Sequence, residues 1–438
     1  TDNIILDDVG QIISDPNIVA ATLNEHFVNV GKTCTSTNSV RHIDPNDKTL
    51  DQYVDKVLEA YSNHPSILKI NQLDTPQHDF NFKQVTESQV LLQIESLDTK
   101  KATGHDGISA KILKTSRKVI TPILTKIFNQ SIQSCKCPHH LKLAIINPAF
   151  KKSDHLDKQN YRPLSILCIV SKIFERLLDR NMTNMKNEIL HDKISAYRAD
   201  YSCQSVLLHA LETWRSALDN NKHVGIALMD LSKAFESISH PLLLAKLRAY
   251  GFSKDAITFL ASYLTSRYQK VKIQSIFSDW KLLQNGVPQG SVLGPTLFNF
   301  FINDLFWFIK EESLSNFADD NNLTAIGDTV HQVRNILISE IDKSMQWFAF
   351  NCMSANPSKF QLLLLGAQNS SDFKVVIQGT EVQNTDHVKL LGVFIDTKLS
   401  FDKHVTEICR KASAQLSVLI RFKRILDVPA KFSDRKST

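Results

Sequence analysis

A chain of 438 residues, 42% hydrophobic and 22% charged, is long enough for two to four domain-sized units and is composed like an ordinary globular protein. Its longest apolar stretch, 295–309, is broken by Asn299, Asn303 and Asp304 and falls short of the ~18 residues of a membrane span, while seven cysteines are too few, and odd in number, for a disulfide scaffold and point to reduced thiols inside a cell. The net charge of +6 is uneven, with 7 Lys and Arg against 15 Asp and Glu over 1–100 (−8), 18 against 8 over 101–200 (+10) and 8 against 2 over 409–438 (+6), which fits a nucleic-acid channel and equally a set of solvated lysine-bearing helix faces.

The sequence opens with Asp2, Asp7 and Asp8 and no initiator Met, where a secretory signal would be basic and then apolar. It reads as the middle of a longer chain. Asp15 as N-cap, Pro16 at the first helical position and Gly31 past the end predict a helix with Ile18, Val19, Leu23, Phe27 and Val30 on its inner face. Residues 35–80, rich in Asn, Asp, Thr and His, predict a linker or loosely packed extension. Thr86 and Gln89 supply a capping box for a second helix, with Val90, Leu91, Ile94 and Leu97 turned inward. From there to about Gly366 helices and short apolar strands alternate, which predicts one α+β unit. Cys135, Cys137, His139 and His140 cluster on the way, but their one-residue gaps do not match zinc-ligand pairs.

The run Val224-Gly-Ile-Ala-Leu-Met-Asp230-Leu231 has the continuous apolar pattern of a strand buried on both faces. It ends in a carboxylate, which in such surroundings needs a cation or a metal for a partner. Ser232-Lys-Ala-Phe235-Glu236 then reads as a turn into a helix, and helix capping is the other role open to Asp230. In Leu314-Ser-Asn-Phe317-Ala318-Asp319-Asp320-Asn321-Asn322-Leu323-Thr324 two strand-like pieces flank turn-forming residues, predicting a hairpin with two acids at its tip. Paired acids in a turn serve as solvated turn chemistry or, beside a strand ending in Asp230, as ligands for two Mg²⁺ ions about 4 Å apart.

Met229-Asp-Leu-Ser-Lys-Ala-Phe235, Gly286-Val-Pro-Gln-Gly-Ser-Val-Leu-Gly-Pro-Thr-Leu-Phe298 and Phe317-Ala-Asp-Asp320 resemble the successive palm motifs of non-LTR (LINE-type) retrotransposon reverse transcriptases, jockey-like elements especially. Gly104-His-Asp-Gly107-Ile108 and Asn160-Tyr-Arg-Pro163-Leu-Ser165 are similar to that family's finger motifs, and Leu390-Leu-Gly-Val-Phe-Ile-Asp396 to its primer-grip hairpin. The ordered match runs from about residue 85 to 422. The resemblance implies an α+β right-hand polymerase: an N-terminal helical and linker extension over 1–84, fingers over 85–215, palm over 216–375, and primer-grip hairpin and partial thumb over 376–438. It implies an RNA-directed DNA polymerase that takes an RNA template, a DNA primer or target and dNTPs, with no membrane partner. Its cofactor would be two Mg²⁺ ions, or Mn²⁺ as a substitute. Copying would take place in the nucleus, after a cytoplasmic stage.

Carried over residue by residue, Asp230, Asp319 and Asp320 would hold the metal, with Asp319 the stronger ligand of the adjacent pair. Lys151 and Arg162 would grip the triphosphate, Phe235 would exclude a 2′-hydroxyl, Gln289 and Gly290 would support templating base and nucleotide, and Lys359 would protonate pyrophosphate. Four of these also have a plain structural reading: Lys151 as a solvated lysine, Arg162 as an extended residue before Pro163, Phe235 as palm core and Lys359 as surface charge. Four positions depart from the family pattern, with Phe317 for its usual Tyr, Asn321-Asn322 for Asp-Thr or Thr-Thr, and Glu236 for Asp. None removes a metal ligand, so an active or recently active enzyme is expected. Rival readings are an RNA-dependent RNA polymerase, opposed by Phe235, and a catalytically dead remnant that only binds nucleic acid, opposed by the three intact acids.

Overall fold

The computed structural model describes residues 4–8, 11–30, 49–73, 79–151, 153–310, 313–367 and 372–422. The chain divides into two interleaved compact units, one made of 1–202, 230–321 and 342–356, the other of 203–229, 322–341 and 357–438. Helices and mainly antiparallel sheets mix in both, as the α+β expectation requires.

In the first unit a sheet runs in the order Tyr161–Leu167, Leu143–Phe150, Arg267–Ile273, Ile276–Phe277, with Lys281–Leu283 also on Arg267–Ile273. The helix Pro16–Asn29 packs on it. Asp15 caps that helix by accepting from the Asn17 amide at 2.8 Å, and Val19, Leu23 and Phe27 enter one core cluster with Ala144, Ile146, Leu167 and Val271. Ile18, expected inside, is 51% exposed, because the buried stripe is narrower than the run of apolar residues. Gly31 lies outside the described residues. Part of the predicted linker is helical: Leu50–Ala60 buries Tyr53, Val54 and Val57, and Pro65–Asn71 buries Ile67 and Ile70. Both pack on the buried helix His240–Ala249. The capping box forms as expected, with Gln89 N donating to Thr86 Oγ1 at 3.3 Å and Thr86 N to Gln89 Oε1 at 2.9 Å.

A charged pair sits in this core. Lys246 Nζ lies 2.5 Å from Asp304 Oδ1 with both side chains fully buried, Trp347 Nε1 donates to the other carboxylate oxygen at 2.7 Å, and the Phe301 carbonyl takes a second ammonium proton at 2.8 Å. Burial pulls the Lys246 ammonium down to about 8. Such pairs persist only when their remaining donors and acceptors are met.

In the second unit Gln361–Leu365 pairs antiparallel with Val224 to Leu228, and the helix Cys203–Asp219 covers them with Leu207, Ala210, Trp214 and Ala217. Trp214 Nε1 donates to Thr324 Oγ1 at 3.2 Å, so this large buried ring keeps its polar atom satisfied. The hairpin His387–Leu390 with Val393–Asp396 turns through Leu391 and Gly392, whose φ of +46° and +89° match a type I′ turn. The helix Asp402–Phe422 follows. Lys423 and Arg424, which follow it in sequence, lie outside the described residues. Among the described residues no helix is long and apolar enough to cross a membrane.

Candidate active site

The buried run from Val224 to Ala227 forms the expected strand, His223–Ser232. It continues two residues beyond Asp230, because Leu231 and Ser232 pair with Ala355 and Ser354. The predicted turn into a helix over 232–236 is a turn only, with Lys233 at φ +56°. The next helix starts at His240 and is capped by Ser239. Asp230 is therefore a strand residue and caps no helix.

The predicted hairpin is present as Leu314–Phe317 and Asp320–Gly327, but its two-residue turn is Ala318-Asp319. Asp320 opens the return strand, so one acid of the two sits in the turn. Ala318 carries φ +57°, a conformation that favours glycine. Two buried asparagines hold it there: Asn316 Nδ2 donates to the Ala318 carbonyl at 2.6 Å and to Asn321 Oδ1 at 3.0 Å, while Asn321 Nδ2 donates to the Asp319 carbonyl at 3.2 Å. The departure at Asn321 thus braces the turn.

Asp320–Gly327 lies between His223–Ser232 and Leu314–Phe317 in the sheet, which makes the two acid-bearing segments neighbours. Their electrostatics agree. Partial burial, then the charges of Asp319 and Asp230, push the Asp320 carboxyl up to about 6, against the pull of Lys151 and Arg162. Four of the predicted residues thus act on a fifth, Asp320. Lys151 follows the strand Leu143–Phe150, its amide held by the Asn160 carbonyl at 2.9 Å, and Arg162 stands opposite Ala149 on the paired strand. Both are exposed. Lys359, in the short turn Pro357–Lys359, is exposed and belongs to the other unit.

Hard carboxylate oxygens close to one another are donors suited to Mg²⁺ or Mn²⁺, and a cation would offset both the partial burial and the acid charges that raise Asp320. The fit is one of donor chemistry: among the described residues no group of three or more His, Cys, Asp or Glu side chains is arranged to hold an ion. That holds for Cys135, Cys137, His139 and His140 too, where burial pushes the Cys137 thiol up to about 11.

Phe235 is half-buried, stacked on Phe298 at 4.6 Å and met edge-on by Tyr197 at 6.3 Å. Gln289 is tied at both ends, its carbonyl accepting from Ser165 N at 2.7 Å and its side-chain Nε2 donating to Glu236 Oε1 at 2.8 Å. Gly290, at φ +115°, lies so close to Ser165 that a Cβ would stand 2.6 Å from the Ser165 carbonyl oxygen, so glycine is required. Phe27, Val28, Pro163 and Asn285 line one cleft with Glu236 and Gln289.

Two residues escaped the sequence reading of the site. Glu236 was visible only as a departure from a motif. Glu175 is buried among Ile173, Phe174, Leu177 and Leu178, and its carboxylate accepts from Val292 N at 2.5 Å, Leu293 N at 3.4 Å and Tyr263 Oη at 3.0 Å. It thereby caps the helix Leu293–Ile302 and anchors the end of the Gln289 loop. An acid on an apolar helix face was its signal.

Residues 150–395 match the family described as reverse transcriptase (RNA-dependent DNA polymerase). The chain is 27% identical over 353 residues to a probable RNA-directed DNA polymerase from transposon X-element of Drosophila melanogaster, covering 79% of this chain and 38% of the relative. It is 26% identical over 381 residues to one from transposon BS of the same fly (83% and 42%), and 27% identical over 379 residues to the RNA-directed DNA polymerase from its mobile element jockey (83% and 41%). The chain spans about two fifths of the length of these relatives.

Proposed function

We propose, from the premise that the chain belongs to the reverse transcriptase (RNA-dependent DNA polymerase) family, that it copies the RNA of a non-LTR, jockey-like retrotransposon into DNA from a 3′-hydroxyl primer. The observation that carries this reading is the pairing of the Asp230 strand with the Asp319-Asp320 hairpin, under the opposing charges of Lys151 and Arg162. Asp230, Asp319 and Asp320 would hold two divalent ions, Mg²⁺ or Mn²⁺, which when bound supply positive charge for the attacking hydroxyl and the departing pyrophosphate. Lys151 and Arg162 neutralise the triphosphate of the incoming dNTP, Lys as a compact charge and Arg as a planar fork. Phe235 closes the space beside the sugar, where a 2′-hydroxyl would meet both a clash and the loss of its hydrogen bonds. Gln289 and Gly290 bear on the templating base and nucleotide, and Lys359 offers a proton to pyrophosphate.

In this reading 85–215 are fingers, 216–375 palm, and 376–438 primer grip and partial thumb. A chromosomal DNA primer puts the copying step in the nucleus. Primer extension on an RNA template, with dNTPs and rNTPs compared, tests the proposal. DNA synthesis supports it, equal use of rNTPs points to an RNA polymerase, and absence of product points to an inactive remnant that only binds nucleic acid.

A further inference from the structure

We infer that Glu236 is a positioning residue that fixes the orientation of the Gln289 side chain and so couples the turn bearing Phe235 to the strand bearing Arg162. The inference rests on the proposed polymerase function and assigns a role to a residue at which this chain departs from the family pattern.

A carboxylate can only accept, so the end of the Gln289 amide 2.8 Å from Glu236 Oε1 must be the NH₂ group, and the amide oxygen is turned the other way. One hydrogen bond thus sets which face of the amide is donor and which acceptor. The backbones around the pair are pinned. Gly286 N donates to the Ile238 carbonyl at 2.8 Å and Val287 N to the Phe235 carbonyl at 2.9 Å, and His240 Nε2 lies 2.6 Å from the Gly286 carbonyl oxygen. Gly286, at φ +76°, brings the loop so near that a Cβ would stand 2.6 Å from Glu236 Cα. On its other side the Gln289 carbonyl is held by Ser165 N, in the strand Tyr161–Leu167 that carries Arg162. Gln289 therefore bridges the turn that the proposed function sets beside the sugar and the strand it sets at the triphosphate, and Glu236 holds its side-chain end.

The cost of this arrangement separates orientation from mere packing. Part of Glu236 reaches the surface, yet its Oε2 is buried and meets no donor among the described residues. Burial pushes its carboxyl above the usual carboxylate range, while the Gln289 amide pulls it back. A half-satisfied buried carboxyl is a net liability, and an apolar side chain of similar size would suit stability better. What only the carboxyl provides is an obligate acceptor for the Gln289 amide.

The test uses the whole chain in steady-state dNTP incorporation on an RNA template, with wild type, Glu236→Gln, Glu236→Ala, Gln289→Ala and the double variant. Glu236→Gln keeps the shape but lets the two amides pair either way round, and it carries the test if Glu236→Ala fails to fold by thermal melting. The expected result is a KM for dNTP raised roughly tenfold in Glu236→Ala, less in Glu236→Gln, with kcat within about threefold. In the Gln289→Ala background, removing Glu236 should add less than about twofold, since a residue that acts through Gln289 has nothing left to position. An unchanged KM in a folded variant, or the same penalty in both backgrounds, overturns the assignment. A wild-type chain that makes no DNA on RNA overturns the proposed function, and this role with it.

Discussion

Asp320→Asn should stabilise the protein at neutral pH in the absence of divalent cations. An acid whose folded-state pKa is raised prefers to be protonated in the fold, so its contribution is most favourable below the unfolded pKa and is lost as pH rises through the folded value. For Asp320 that window runs from 3.8 to about 6. The shift of about 2 units corresponds to a ceiling of roughly 3 kcal/mol at 1.36 kcal/mol per unit, and because Asp320 keeps solvent contact we discount this to about 1–2 kcal/mol. Urea denaturation in EDTA at pH 7 should therefore find the Asn variant more stable by about that amount, with the gap closing below pH ~4, where the wild-type carboxyl is neutral. Added Mg²⁺ should close the gap at pH 7 from the wild-type side, by binding the folded carboxylates. A variant less stable than wild type at pH 7 in EDTA, or a gap indifferent to pH, would refute the reasoning that burial and the neighbouring acids make the Asp320 charge a cost to the fold.

Asp230→Asn and Asp319→Asn should each lower primer extension by several orders of magnitude; near-normal activity of Asp319→Asn removes it from the site. Phe235→Ala should raise rNTP over dNTP incorporation by about ten- to a few hundredfold in kcat/KM, whereas a ring that serves only as packing on Phe298 and Tyr197 would lower stability and leave the ratio alone. Asp304→Asn should cost about 3–5 kcal/mol in chemical denaturation by stranding the Lys246 charge, and an effect below ~1 kcal/mol would mean that the pair is not sealed from water. Primer-template affinity should fall steeply with salt, and neutralising Arg410, Lys411 and Arg421 on the exposed helix Asp402–Phe422 should flatten that slope, which fluorescence anisotropy across a salt series would read.

What could be read from the sequence was local or strongly periodic. The run from Val224 to Met229 has one apolar residue after another, and a strand buried on both faces allows little else. Thr86 and Gln89 satisfy each other within one turn of helix, and Asp15 needs only its own neighbours. The helices at Leu50–Ala60 and Pro65–Asn71 were missed because the polar composition of 35–80 masks buried faces only two or three apolar residues wide, although Tyr53, Val54 and Val57 do recur at helical spacing. The turn at Ala318 was misplaced by a residue because alanine gives no hint of a positive φ, and Asn316 and Asn321 support it from outside the turn. Pairs such as Glu236 with Gln289, 53 positions apart, exist only once the chain has folded.

Charge in this molecule is accommodated in two ways, one fully buried and one partly exposed. Lys246 and Asp304 are as deeply buried as any charged residues here, yet each carboxylate oxygen has a donor and the ammonium has a carboxylate, a carbonyl and two aromatic faces at 4.4 and 4.6 Å. Nothing in that group is left to offer a ligand, and its role is to join the helices His240–Ala249 and Val330–Phe350 to the Asp304 corner. Around Asp230, Asp319 and Asp320 the pattern is reversed. Lys233 and Ala318 hold left-handed backbone without being glycine, Glu236 buries an oxygen that meets no donor among the described residues, and Asp320 is driven toward protonation by partial burial and then by the charges of Asp319 and Asp230. Each is a local cost of order 1–3 kcal/mol that a chain shaped for stability alone would shed by a single substitution. Their concentration around Asp230 and the Asp319-Asp320 hairpin is what the proposed function would ask of a site for a cation and a polyanion, whereas the Lys246 pair, equally charged and fully satisfied, is structural.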